Sequence, residues 1–138
     1  MSFHLDTNIV AHLMREPTGF VARRLEERAV SRSVSISVIV AAEIRFGIEK
    51  SGSSRHREAF ERLLAFLPVE AWSPPADTHY GRIRADLERV GRPIGANDYL
   101  VAAHALALGA TLVTDNTGEF ERVPGLAIEN WLPPRSSA

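Results

Sequence analysis

Asp6, Glu43, Asp98 and Asp115 are the residues of this 138-residue chain whose types and positions could do chemistry. Asp6 directly follows the apolar run 3–5, and Asp115 directly follows the β-prone run 111–114, with Asn116 and Glu119 in the same turn. Asp98 stands at the head of a stretch, 99–106, that is otherwise almost wholly apolar. Glu43 has Ile39, Ala42, Phe46 and Gly47 as its helical neighbours, which predicts a carboxylate on a mostly apolar face. Each acid has an ordinary structural explanation: an Asx turn or helix cap for Asp6 and Asp115, a first-turn acid favoured by the helix dipole for Asp98, an arginine partner for Glu43. Together they demand more. Several carboxylates converging on one cleft repel one another, and a divalent cation relieves the repulsion. An all-oxygen donor set, with no Cys and no His pair at ligand spacing, selects Mg²⁺ or Mn²⁺ over Zn²⁺. Such ions typically act on phosphate esters, polarising the phosphoryl oxygen and activating water.

The elements needed to gather these acids are legible in the patterning. Strands are expected at 3–5, 34–37, 69–72 and 111–114, with a possible fifth at 127–130. Helices are expected at 8–15, at about 18–29 capped by Thr18, at 38–50 capped by Ser37, at 55–66, at 75–90, and at 98–108 capped by Asn97. Strands alternating with helices predict an α/β layer fold with a mainly parallel sheet of four or five strands. Such sheets carry their sites outside the carboxyl ends of the strands, where Asp6 and Asp115 fall. His104 lies on the apolar helix and reads as a packed core residue; His4, His12, His56 and His79 show no ligand pattern.

Composition narrows the class. A chain that is 45% hydrophobic and 24% charged is ordinary for one globular domain, expected over 1–132, with 133–138 as a disordered C-terminal tail. The lack of Cys removes disulfide scaffolds, thiolate metal sites and cysteine nucleophiles, and suits the cytoplasm. Neither a signal peptide nor a membrane span is expected. The net charge of −1 hides an asymmetry, since residues 1–69 carry 10 basic and 8 acidic side chains while 70–138 carry 6 and 9. Fifteen of the 16 basic residues are Arg, and Arg23, Arg24 and Arg28 could form a basic helix face, either a solvated surface or one that steers a polyanion such as a nucleic acid.

Four segments resemble the motifs of the PIN domain family, and in particular its VapC toxin ribonucleases. They are Leu5-Asp6-Thr7-Asn8-Ile9, the helix Ile39 to Gly47 around Glu43, the stretch Ile94 to Ala105 containing Gly95-Ala96-Asn97-Asp98, and Leu112-Val113-Thr114-Asp115-Asn116 followed by Glu119-Phe120. The C-terminal Val123-Pro124-Gly125-Leu126 and Glu129-Asn130-Trp131 add to the likeness, which covers about residues 3–132.

The resemblance implies a single PIN-like domain with a three-layer α/β/α architecture. It also implies a Mg²⁺- or Mn²⁺-dependent endoribonuclease, the toxin of a type II toxin–antitoxin pair, cutting a structured RNA such as tRNA. Asp6, Glu43, Asp98 and Asp115 would be the catalytic metal ligands. The fourth acid stays open, because relatives carry it at the position of Asn116 while Asp115 and Glu119 stand nearby. Thr7, Asn8 and Asn97 would orient ligands. The implied partners are a VapB-like antitoxin, the RNA and a second copy of the chain, for which the apolar stripe around Phe60 is a candidate interface. A degenerate PIN-like module that only binds a partner is the alternative. A haloacid dehalogenase-like phosphatase fits less well, because Asp6-Thr7-Asn8 lacks a second Asp.

Overall fold

The computed structural model describes residues 2–30 and 33–133. Five strands alternate with seven helices: β1 (Ser2–Leu5), α1 (Thr7–Arg15), α2 (Phe20–Ala29), β2 (Ser33–Ser37), α3 (Val38–Ser51), α4 (Ser54–Leu64), β3 (Val69–Glu70), α5 (Ala76–Arg89), α6 (Ala96–Leu108), β4 (Thr111–Val113), α7 (Thr117–Phe120) and β5 (Ile128–Glu129). All pairings are parallel, in the order β3-β2-β1-β4-β5. The expected α/β fold with a mainly parallel sheet is therefore observed. β1 lies in the middle, so both of its faces are covered and its residues 3–5 are buried. Phe3 meets Trp131 edge-on on one face, while His4 meets the His104 ring of α6 on the other.

α6 is buried because it is apolar on nearly every side: Tyr99 and Val101 to Ala105 are all inside. It packs along α5 and stops at Gly109, whose φ of 63° is a left-handed cap that suits glycine. Ser37 closes β2 and caps α3 as expected, accepting from the Ile39 amide at 3.1 Å. The apolar stripe considered as a dimer interface is instead mostly spent inside the molecule, since Phe60, Leu63 and Leu67 are buried core residues.

Several local expectations are corrected. Thr18 does not cap α2; a turn returns the Gly19 amide to the Glu16 carbonyl at 3.1 Å, and the helix opens from Gly19 instead. Asn97 lies inside α6, whose N-cap is Gly95. β3 ends at Glu70 rather than 72, because Trp72 leaves the sheet and donates its indole N–H to the Leu100 carbonyl at 2.9 Å. Helix α7 was not anticipated. The tail expected at 133–138 lies, from 134 onward, outside the described residues.

The His4–His104 pair carries a cost in acid. His104 contacts the Ser37 hydroxyl through Nδ1 at 2.7 Å, whereas neither ring nitrogen of His4 has a partner among the described residues. Burial, and then the neighbouring His104, pull the His4 pKa down to about 4. A histidine whose folded pKa is depressed contributes full stability above its unfolded value near 6.5 and loses it as pH falls. The loss should reach about 2 kcal/mol by pH 5 and about 3 kcal/mol by pH 4. His4→Leu removes two unpartnered nitrogens from the core, so it should leave the pH 7 melting temperature unchanged or raised and flatten the fall between pH 7 and 4. Thermal melts across that range check it; an unchanged acid slope in the variant would contradict the assignment.

Candidate active site

The carboxylates gather at the carboxyl edge of the sheet, and the chain's own backbone geometry brings them there. The Asp6 amide is the last rung from β1 to β4, donating to the Val113 carbonyl at 2.9 Å. Asp6 is also the N-cap of α1, so its side chain sits at the junction of strand and helix and is only 6% exposed. One carboxylate oxygen accepts from the Thr7 amide at 2.9 Å, the other from the Thr114 hydroxyl at 2.8 Å. Thr114 reaches it because β4 runs beside β1 and ends level with it.

Thr7 connects the next acid. Its hydroxyl donates to Glu43 Oε1 at 2.9 Å, tying the first turn of α1 to the second turn of α3. Glu43 is half-buried, and the apolar face expected around it is largely open: Ala42 and Gly47 are exposed and Phe46 is 68% exposed. The face is not core but the wall of a cleft. That removes the expected need for an arginine partner, and Arg45 turns away to pair with Glu61 at 2.8 Å.

Asp98, in the first turn of α6, is half-buried and hydrogen-bonded to Glu119. Burial, that hydrogen bond, and the charges of Glu119, Asp6 and Glu43 together push the Asp98 carboxyl up to about 7. Glu119 moves the opposite way. Burial works against its charge, but hydrogen bonds from Asn116, the Gly95 amide and Asp98, with Arg122 nearby, hold it below the ordinary range. Glu119 Oε1 accepts from the Gly95 amide at 2.7 Å, and Oε2 accepts from the Asn116 side-chain amide. Asp6 is also raised, chiefly by burial, with Glu43 and Glu119 adding repulsion.

Asp6, Glu43, Asp98 and Glu119 thus feel one another. Asp115 does not join them. The Asp6–Thr114 bond turns the chain at the end of β4, and the Asp115 carboxylate faces the C-terminal segment, accepting from Asn130 Nδ2 at 3.3 Å. Of the three candidates for the fourth acid, Glu119 is the one brought to the cluster, carried on the unanticipated α7, while Asn116 serves as its hydrogen-bond donor.

Among the supporting residues, Thr7 contacts Glu43, and Asn8 accepts the Asp115 amide at 3.5 Å, joining α1 to the β4 turn. Asn97 is exposed and makes no side-chain hydrogen bond among the described residues, and Gly95 takes the capping position two residues earlier. Arg23, Arg24 and Arg28 are not brought to the cluster either. They lie on α2, where Arg28 pairs with Glu129 at 3.4 Å and Arg24 covers the Phe20 ring. Two contributors were missed in the sequence reading, Thr114 and Gly95. A Cβ built on Gly95 would stand 2.9 Å from Asp98 Oδ2, so the absence of a side chain leaves room for that carboxylate. Gly95→Ala should therefore displace Asp98 and cut the site's activity about tenfold with little change in melting temperature. Equal turnover by the variant would show that the close approach is dispensable.

Can these residues hold a divalent cation? Among the described residues no group of three or more His, Asp or Glu already forms a ready-made metal cage. The donor chemistry nevertheless fits. All four groups are carboxylates, and the charges of their neighbours act against ionisation of Asp6 and Asp98, the repulsion that a divalent cation offsets. Asp6, Glu43, Asp98 and Glu119 are the residues that would hold the ion.

The PIN domain family model matches residues 4–126. Ribonuclease VapC2 of Rickettsia felis is 38% identical over 132 residues, covering 95% of this chain and 98% of that protein. The tRNA(fMet)-specific endonuclease VapC of Shigella flexneri is 37% identical over 132 residues, covering 95% of this chain and 98% of that one. The crystal structure of VapBC2 from Rickettsia felis bound to a DNA fragment from their promoter contains a similar chain. It superposes with a TM-score of 0.89 at 36% identity, over 95% of this chain and 99% of that one.

Proposed function

The chain belongs to the PIN domain family, and from that premise we propose that it is a VapC-type toxin, an endoribonuclease that hydrolyses RNA with a divalent cation held by Asp6, Glu43, Asp98 and Glu119. One observation carries the reading: four mutually repelling carboxylates at the strand ends of a chain that aligns over 95% of its length with ribonucleases. The cation is Mg²⁺ or Mn²⁺, since the donors are all oxygen. The substrate class is a structured RNA such as tRNA, by likeness to the Shigella relative. The partner is a VapB-like antitoxin, by likeness to the Rickettsia complex.

A bound divalent ion would supply a polarised phosphoryl oxygen and a water acidic enough to attack. The chain's own residues do the rest by position. Thr7 and Thr114 fix the two oxygens of Asp6 from opposite sides, and Thr7 also fixes Glu43, so one short segment sets the spacing of two ligands. The Gly95 amide and Asn116 aim Glu119 at Asp98. Preorganised donors of this kind need no rearrangement as charge develops on the scissile phosphate. One bound divalent cation would move the formal net charge from −1 to about +1, a balance better suited to RNA.

The degenerate-module alternative would keep Asp6, Glu43 and Asp98 at a repulsive cost with no ion to offset it. Among the described residues no helix is long and apolar enough to cross a membrane. The test is cleavage of an RNA mixture by the purified protein with Mg²⁺ or Mn²⁺. We expect EDTA to stop cleavage and added metal to restore it; cleavage that persists in EDTA contradicts the proposal.

A further inference from the structure

Arg23, Arg24 and Arg28, the arginines singled out in the sequence, do not line the cavity that reaches Glu43, but Arg15, Arg55 and Arg62 do. A cavity of about 760 Å³ opens at Thr7 and Glu43 and runs between α1, α3 and α4. Its floor is apolar, formed by Met14, Ile44 and Ile48, and Arg15, Arg55 and Arg62 line it as exposed side chains. Among the described residues, Glu43, at the site end, is the one acid in its lining. Among the described residues none of these three arginines is in an ion pair. Arg28, Arg45, Arg57, Arg84 and Arg89 each have a carboxylate partner. We propose that Arg15, Arg55 and Arg62 hold phosphates of an unpaired stretch of the substrate RNA, whose bases lie on the apolar floor, and so deliver the strand to the carboxylates.

This rests on the ribonuclease reading and deepens it. A polyanion brought to four carboxylates needs compensating cations close by, and guanidinium groups match phosphate oxygens two at a time. The apolar floor selects the unpaired form. A duplex presents stacked bases inside and phosphates outside, so it has no group to place on Met14 or Ile48, whereas a loop can splay its bases onto such a surface. An acidic peptide with apolar side chains is the competing occupant. The cavity's opening at Glu43 favours the RNA, because the strand whose phosphate reaches the carboxylates must cross the adjoining surface.

Gly47 offers a steric test. It lies on the cavity wall in α3, and a Cβ there would meet nothing within 4 Å, so a larger side chain projects into the cavity. The experiment measures anisotropy of a short fluorescein-labelled single-stranded RNA on the cleavage-impaired Asp98→Asn protein. Adding Arg15→Ala and Arg55→Ala should weaken binding about tenfold or more and lower the slope of log affinity against log salt by about 0.7 per lost contact. Gly47→Phe should weaken binding with the slope unchanged, and Arg82→Ala on α5 should do neither. In the otherwise unmodified enzyme the double arginine variant should raise KM and leave kcat within about threefold. Unchanged RNA affinity in both the double arginine and Gly47→Phe proteins would overturn the proposal, as would variants that keep RNA but lose the antitoxin. If the parent protein cleaves no RNA with Mn²⁺, the ribonuclease reading fails; if it cleaves but the double variant's KM is unmoved, only the cavity assignment fails.

Discussion

Asp6→Asn should abolish RNA cleavage, by about 10²–10³-fold, while leaving the metal-free fold at least as stable. Both halves follow from the same geometry. The asparagine oxygen can still accept from one neighbour, the Thr7 amide at 2.9 Å, so the start of α1 keeps its cap. The substitution also removes a buried charge that Glu43 and Glu119 repel, which relieves the repulsion within the cluster. What it cannot keep is the ligand charge. Thermal melts with and without Mn²⁺ separate the two effects. The parent protein should gain several degrees with saturating Mn²⁺, since a ligand at a hundred times its Kd stabilises by about 2.7 kcal/mol. The variant should start no lower and gain almost nothing. A variant that unfolds early without metal would point to a structural role for the Asp6 charge.

Glu119 and Asp115 give the second large effect, as a contrast. Glu119→Gln should lower cleavage about a hundredfold. Its carboxylate accepts from both the Gly95 amide and Asn116, and a glutamine would turn its own NH₂ toward one of those donors. It would also weaken the acceptor for the Asp98 proton. Asp115→Asn, in contrast, should change cleavage by less than about threefold, because its carboxylate accepts from Asn130 in the C-terminal segment and an amide oxygen can preserve that contact. Single-turnover rates at saturating Mn²⁺ compare them directly. The reverse ranking would restore Asp115 as the fourth acid.

That contrast also shows where sequence reading stops. Asp6, Glu43 and Asp98 were legible because each breaks a local rule: an acid past a central strand, an acid among apolar helical neighbours, an acid heading an apolar helix. The parallel sheet was legible from strands alternating with helices, and Ser37 from its place before the α3 run. Choosing among Asp115, Asn116 and Glu119 was not. Their order along the chain says nothing about which way each side chain points once Thr114 is anchored to Asp6, a contact across 108 positions. The short helix α7, which lifts Glu119 toward Gly95, has too few residues to leave a periodic trace. Gly95 was hidden for a related reason: its role is the space it leaves for Asp98. The arginines of the cavity were not legible because charge was read along α2 alone. Arg15, Arg55 and Arg62 come from α1 and α4 and meet only in three dimensions. Glu43 was misjudged in one respect, since apolar neighbours were read as core, when Ala42, Phe46 and Gly47 line an open face.

The central claim is that Asp6, Glu43, Asp98 and Glu119 hold one divalent cation site. Anomalous scattering from crystals grown or soaked with Mn²⁺ tests it most directly. We predict a manganese peak bound by the Asp6 and Asp98 carboxylates, with Glu43 and Glu119 bound to it directly or through water, and its loss in Asp6→Asn crystals. A fully loaded crystal with no manganese in this cluster, or with manganese bound only through Asp115, would contradict the account.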